Sequence, residues 1–309
     1  LAGDYAYKIK KPVSLGFVDF STLESRRFYC DEELRLNRRT APELYLAVVP
    51  VTGTPAEPAM DGTGEAFEYA VKMRRFPQEA LLDRVAKAGA LSAAQVEAFA
   101  RSVAAFHAGV TRAGPEGAFG SPPEILAEAV DNFAQLELLD TLEDTREARQ
   151  ALASWTLREY NRLEPLFARR KHDGFVRECH GDLHLGNVAL LGGRPVAFDA
   201  IEFNESFRWI DVMSEVAFPV MDLVHHGLDG LASRFVDAYL DATGDFAGLK
   251  ALRFYLVYRA MVRAKVSCIR AHQPGISPGD RERSARAYRG HLDLARRLSR
   301  PGRPAIVAM

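Results

Sequence analysis

The segment His180-Gly181-Asp182-Leu183-His184-Leu185-Gly186-Asn187, with Asp199 twelve residues beyond its end, is the densest cluster of oxygen ligands and proton acceptors in the chain. Asp182 and Asn187 bracket a tight loop. The runs Val188-Ala189-Leu190-Leu191 and Pro195-Val196-Ala197-Phe198, joined through Gly192-Gly193, read as a hairpin of two apolar strands around a glycine turn. A hairpin brings its ends together, so Asn187 and Asp199 are expected to be neighbours. An amide oxygen beside a carboxylate suits magnesium, which takes such ligands together with water and substrate phosphate. Asp182 would then accept the proton of an attacking hydroxyl. Phosphoryl transfer asks for little beyond positioning and charge neutralisation, which these three residues supply. The competing reading is ordinary turn formation by Asp and Asn. A metal-dependent hydrolase built on His180, Asp182 and His184 is a further alternative, although the two imidazoles lack a third ligand of the kind zinc needs.

The elements that must position this loop fall into two groups. Over the first ~75 residues strands dominate, with one helix among them. Tyr5 to Lys11 alternates until Pro12, and Ser21-Thr22-Leu23-Glu24 has capping-box spacing, predicting a helix from Ser21 to about Arg39. Leu44 to Val51 and Ala66 to Met73 read as strands separated by the Pro/Gly-rich stretch Thr52 to Gly64. From Gln78 helical periodicity takes over. Ser92 caps a run in which Val96, Phe99, Val103 and Phe106 recur, followed by helices over Pro122 to Leu142 and Arg146 to Arg170. After the hairpin, helices resume near Ile210 and continue to Leu298, with a loop at Gln273 to Gly279.

With 309 residues the chain exceeds one small core, and its hydrophobic content of 48% suffices for two lobes. A net charge of −1 gives no global electrostatic attraction to nucleic acid or to an anionic membrane, so neither is expected as a partner. Cys30, Cys179 and Cys268 lie far apart and form no CxxC pair, which suits a reducing cytoplasm. No apolar run reaches the ~18 residues of a membrane span. The abrupt opening at Tyr5 and the apolar close Pro304 to Met309 suggest a domain cut from a longer protein, with 304–309 the start of a following domain.

The string HGDLHLGN with Asp199 downstream resembles the catalytic loop and metal-binding aspartate of the aminoglycoside phosphotransferase and choline kinase group, which shares the protein kinase fold. The resemblance covers nearly the whole chain. It implies an α+β, bilobal protein kinase-like fold: a small N-terminal sheet-plus-helix lobe (1–76) that binds nucleotide, and a larger, mostly helical C-terminal lobe (77–303) for catalysis and substrate. It implies ATP and Mg2+ as cofactors and transfer of the terminal phosphate to an alcohol of a small molecule. Lys8 is similar to the strand lysine that holds the nucleotide phosphates, and Glu33 sits where its helix partner belongs, with Glu32 adjacent as the alternative. Tyr69 to Phe76, with Met73, Arg74 and Arg75, is similar to the strand leading into the adenine-binding hinge. His180 takes its place in the catalytic set as a brace of the loop. Asp211, flanked by apolar residues, is expected to be buried and to anchor the catalytic loop backbone.

Lys8 to Val13, Phe17 to Ser21, Leu36 to Arg39 and Phe198 to Phe203 are similar to a bacterial subgroup in which such a domain is fused ahead of a P-loop ATPase domain. Two departures from the pattern stand out. The chain opens at the lysine strand, without the strands that cover the phosphates, and Glu202 is shifted by one residue from the place of a second metal ligand. These departures motivate a second hypothesis, a non-catalytic nucleotide-binding module regulating its fused partner. Residues 250–303 carry fourteen Lys and Arg against Asp280, Glu282 and Asp293, whereas 114–145 carry eight acids and no Lys or Arg. Basic late helices do not suit a cationic aminoglycoside, and the two patches read equally as solvated faces that pair with each other.

Overall fold

The structure is a computed structural model that describes residues 3–13, 19–139 and 143–300. The stretch 304–309, Phe17 and Val18, and the end of the helix expected to reach Leu142 lie outside the described residues. By proximity the chain forms two compact units, one comprising 1–111, 177–210 and 234–242, the other 112–176, 211–233 and 243–309.

The first unit is built on a four-stranded antiparallel sheet in the order β1-β4-β2-β3, made of β1 (Tyr5–Ile9), β2 (Tyr45–Gly53), β3 (Pro58–Met60) and β4 (Glu68–Arg74). In this register Lys8 lies opposite Val71 and Tyr5 opposite Arg74. Strand β3 arises within the stretch expected to be loop. It sits at the sheet edge with Pro58 at its first position, where proline costs no ladder bond. Helix α1 (Leu23–Asn37) is capped one residue later than the spacing suggests, because Thr22 in place of Ser21 is the N-cap and accepts the Ser25 N–H. Its buried positions Arg26, Cys30, Glu33, Leu36 and Asn37 recur at helical spacing, so the inward face of α1 mixes polar and apolar residues. Helix α2 (Leu82–Lys87) precedes α3 (Ala93–Gly109), which has the expected cap at Ser92 with a reciprocal bond from Gln95. Its apolar stripe packs Phe99 against Phe235 at 5.2 Å.

The hairpin forms as β6 (Val188–Leu191) and β7 (Arg194–Ala197), with Val188 opposite Ala197. Gly192 and Gly193 have φ of 55° and 79°, the pair of left-handed residues that a tight two-residue turn requires. Short strands β5 (Val176–Glu178) and β8 (Trp209–Asp211) flank this region.

Helices α4 (Pro122–Leu139), α5 (Arg146–His172), α6 (Val212–His225), α8 (Leu249–Ala271) and α9 (Pro278–Ser299) form the second unit, which α7 (Asp229–Thr243) shares with the first. Their core gathers Leu136, Leu152, Phe218, Met221, Val257, Met261, Tyr288 and Leu292. Asp211 is buried as expected, but its carboxylate does not hold the catalytic loop. It takes the Arg170 guanidinium at 2.7 and 2.8 Å and caps α6 by accepting the Met213 N–H at 2.8 Å. An arginine close by outcompetes backbone amides for a buried carboxylate. The acidic and basic stretches meet in part, through Lys265–Asp131 at 3.8 Å and Arg289–Asp144 at 3.4 Å. Among the described residues, no helix is long and apolar enough to cross a membrane. All three cysteines are buried free thiols.

Candidate functional site

Within the first unit, the loop between β5 and β6 has its shape imposed at Gly181. There φ is +88°, and a Cβ would stand 2.6 Å from the Phe207 carbonyl oxygen. Only glycine meets both conditions cheaply. Next to it, His180 is 1% exposed, and its Nε2 lies 2.9 Å from the Phe198 carbonyl oxygen while its Nδ1 faces the Asp182 N–H at 3.4 Å. Through these contacts the imidazole ties the residue before Asp199 to the backbone of Asp182. His180 thus braces the loop from its buried position. The His184 Nδ1 accepts the Gly186 N–H at 3.0 Å, which leaves its Nε2 proton facing Asp182 Oδ2 at 3.4 Å. Both histidines are thus committed to shaping the loop.

Asn187 donates through Nδ2 to the Asp182 carbonyl oxygen at 2.9 Å and to Asp182 Oδ2 at 3.0 Å. Its nitrogen is used and its oxygen Oδ1 remains for a cation. The Phe198 N–H donates to the Asn187 carbonyl at 2.9 Å, so the hairpin sets Asp199 immediately past the residue paired with Asn187. The Asp182 side chain is 35% exposed and that of Asp199 42%, and the charge of Asp182 is felt at Asp199. Asp199 has φ of +66°, an unfavourable backbone for a residue with a Cβ. Such strain persists where the surroundings over-determine it. Here the Asp199 N–H donates to the Tyr45 hydroxyl at 3.1 Å and the Ala200 N–H to Asn37 Oδ1 at 2.8 Å.

Lys8 meets Asp199 Oδ1 at 2.5 Å and Glu33 Oε1 at 2.8 Å, whereas Glu32 pairs with Arg35. Desolvation works against the charged form of Asp199, but Lys8 beside it holds its carboxyl below the ordinary carboxylate range. The same desolvation opposes the Lys8 charge, and Asp199, Glu33 and Glu202 more than offset it, so its pKa lies well above that of a free lysine. Lys10, on the same face of the chain as Lys8, contacts Glu33 Oε2 at 2.5 Å and also Glu202. Burial pushes the Glu202 carboxyl up, with Lys10 opposing. Helix α1 thus reaches the 199–202 segment directly through Asn37 and, one turn earlier, through Glu33 by way of Lys8 and Lys10, while Asn37 Nδ2 donates to the Glu33 carbonyl at 2.8 Å. Behind the loop, Glu178 gathers Arg35 at 2.7 Å, Arg39 at 3.1 Å and Arg208 at 3.3 Å.

The segment Met73-Arg74-Arg75 does not join this cluster. Its N–H groups at Arg74 and Arg75 donate to the carbonyls of Leu44 and Asp4, each at 2.9 Å, and both arginine side chains are exposed. Phe76 just beyond packs edge-on against Phe198 at 5.1 Å, which brings the end of β4 to the hairpin. Apolar periodicity could not reveal Lys10, Glu202, Tyr45 or Asn37. The available signals were the two-residue spacing of Lys8 and Lys10 in a strand and the four-residue spacing of Glu33 and Asn37 in a helix.

The donor set of Oδ1 from the buried Asn187 and the partly exposed Asp199 carboxylate, oxygen only, fits a hard divalent cation such as magnesium. Together with Lys8 on β1 and the half-buried carboxylate of Asp182, this arrangement is that of a protein kinase-like fold. Residues 29–255 match the phosphotransferase enzyme family, and the chain belongs to that family. The uncharacterized protein Rv2004c of Mycobacterium tuberculosis is 32% identical over 303 residues, an alignment covering 96% of this chain and 56% of that protein. The chain thus spans about half the length of the curated relatives it matches. Among solved structures, an ethanolamine kinase of Plasmodium vivax is similar at TM-score 0.52 and 10% identity, covering 94% of this chain and 75% of that one. A thermostable mutant of aminoglycoside phosphotransferase APH(4)-Ia is similar at TM-score 0.50 and 14% identity, covering 87% and 83%. At these identities the likeness speaks for the fold, the bilobal kinase-like one expected from the sequence.

Proposed function

We propose that this domain is an ATP- and magnesium-dependent phosphotransferase acting on a hydroxyl group of a small molecule. The observation that carries this reading is the convergence of Asp182, Asn187 and Asp199 around one hairpin, with Lys8 on Asp199. In this assignment 1–76 is the nucleotide-binding lobe and 77–303 the catalytic and substrate lobe. Asn187 Oδ1 and Asp199 hold magnesium, which when bound neutralises phosphate charge. Lys8, steadied by Glu33, offers its ammonium to the phosphates, and the backbone from Met73 to Arg75 borders the adenine. Asp182 accepts the proton of the acceptor hydroxyl while that oxygen bonds to the terminal phosphorus; the bond from phosphorus to the bridging oxygen breaks and ADP leaves. His180 and His184 keep Asp182 in place.

The resemblance of Lys8 to Val13 and Phe198 to Phe203 to a fused bacterial subgroup supports a P-loop ATPase partner, and the 56% share of the Mycobacterium tuberculosis relative which the chain spans leaves room for a further domain. The test is ADP formation from MgATP across a panel of hydroxylated metabolites, in wild type and Asp182→Ala. The reading requires an acceptor-dependent rate that Asp182→Ala removes. Equal rates in both proteins would refute it.

A further inference from the structure

Two lysines two residues apart on β1 and its end point to the same carboxylate, yet their surroundings differ. The Lys8 side chain is 40% exposed and that of Lys10 only 4%. Glu33, fully buried, gives one oxygen to each: Oε1 to Lys8 at 2.8 Å and Oε2 to Lys10 at 2.5 Å. Each lysine then reaches the segment after the hairpin, Lys8 through Asp199 and Lys10 through Glu202, whose side chain is 7% exposed. We propose that Lys10 is a positioning residue that locks Glu33 and Glu202 together, so that Lys8 is free to exchange Asp199 for a nucleotide phosphate without the strand, helix α1 and the 199–202 segment coming apart.

The inference rests on the phosphotransferase reading and extends it. A phosphate competing for Lys8 and a cation competing for Asp199 both act against the Lys8–Asp199 contact. Lys10–Glu202 lies out of reach of either, since its ammonium is buried between two carboxylates. It also withdraws Glu202 from the metal set. Without Lys10, Glu33 and Glu202 become two buried carboxylates that both attract Lys8, and Lys8 is drawn inward, away from the phosphates. The loss of a charge-assisted contact of this kind corresponds to roughly tenfold in nucleotide affinity.

Calorimetric titration with AMP-PNP and Mg2+, alongside melting temperatures, tests this on the full chain with Lys10→Met, Glu202→Gln and the double variant. Lys10→Met is expected to lower both stability and affinity, the latter about tenfold. The double variant removes the stranded carboxylate, so its melting temperature recovers while its affinity stays low. Saturated turnover should fall less than affinity, because Asp182 and Asn187 are untouched. Affinity that returns together with stability in the double variant would make Lys10 merely structural and overturn the proposal, as would unchanged affinity in Lys10→Met. If Lys10→Met does not fold, Glu202→Gln decides: weakened affinity at near-native stability supports the lock, and native affinity overturns it. Wild type that fails to bind the nucleotide would instead overturn the phosphotransferase reading, and this assignment with it.

Discussion

Two ion-pair webs of similar size occupy the two units, and they are built to opposite specifications. In the helical unit, the Arg170 fork takes Asp211 at 2.7 and 2.8 Å and Asp245 at 2.8 Å twice, with all three side chains at most 3% exposed. Every bond of that fork is directed and dry, the geometry in which a buried arginine is best compensated. In the sheet-bearing unit, Lys8 joins Asp199 and Glu33 through a single nitrogen, two of the three side chains are about two-fifths exposed, and Asp199 sits in a left-handed backbone. The closed web cannot exchange a partner without stranding a buried charge. The open one can, because water and incoming ligands reach Lys8 and Asp199. Openness, rather than the presence of charges, is what suits the second web to the proposed exchange of partners.

Substitutions can break this contrast. Asp199→Ala should reduce phosphate transfer at least about a thousandfold, in line with the several kcal/mol attributed to a cation at a reacting phosphate, while its melting temperature stays near wild type. A coupled ADP assay with calorimetry separates the two readouts. Arg170→Met should do the reverse, costing about 3–5 kcal/mol in urea unfolding by leaving Asp211 and Asp245 uncompensated, with turnover per folded molecule retained. If Asp199→Ala unfolds the protein, or Arg170→Met abolishes turnover at full stability, the distinction fails.

Glu128 sharpens the contrast from within the helical unit. Its Oε2 accepts from the Tyr258 hydroxyl at 3.1 Å, and burial raises its carboxyl to about 7 despite Arg259. A raised carboxyl binds its proton more tightly folded than unfolded. Its contribution therefore favours the folded state at low pH and is lost as pH rises from the ordinary value of 4.5 through about 7. Stability at pH 8 should fall below that expected for an unperturbed carboxyl, and Glu128→Gln should remove that dependence, a change of roughly 1–3 kcal/mol by denaturant titration. A pH profile unaltered by Glu128→Gln would contradict this. The smallest effect is expected at Tyr45→Phe, which removes the acceptor of the Asp199 N–H. It should lower transfer about fivefold, the equivalent of one hydrogen bond of ~1 kcal/mol, with the loss expressed in turnover more than in melting temperature.

The sequence disclosed those parts of the molecule whose signals are local. Gly192-Gly193 between two apolar runs announced the hairpin, and the hairpin announced the approach of Asn187 to Asp199. Ser92 with Gln95 announced the start of α3. Partners remote in the chain stayed hidden. Arg170 lies 41 residues from Asp211, and a reading limited to the neighbourhood of Asp211 assigned its carboxylate to the wrong duty. Helix α1 disclosed only part of its role, because its buried face mixes Arg26, Glu33 and Asn37 with Cys30 and Leu36, which blurs the apolar periodicity that normally identifies the inward side. The place of Lys10 was hidden as well, because only the fold reveals that Glu33 and Glu202 enclose it.

The central claim is that Asn187 and Asp199 hold one divalent cation beside a nucleotide. Electron paramagnetic resonance of Mn2+ titrated into the protein with AMP-PNP measures this directly. One bound ion in wild type, lost in Asp199→Ala and weakened in Asn187→Ala, is the predicted result. Bound Mn2+ that is indifferent to both substitutions would contradict the account.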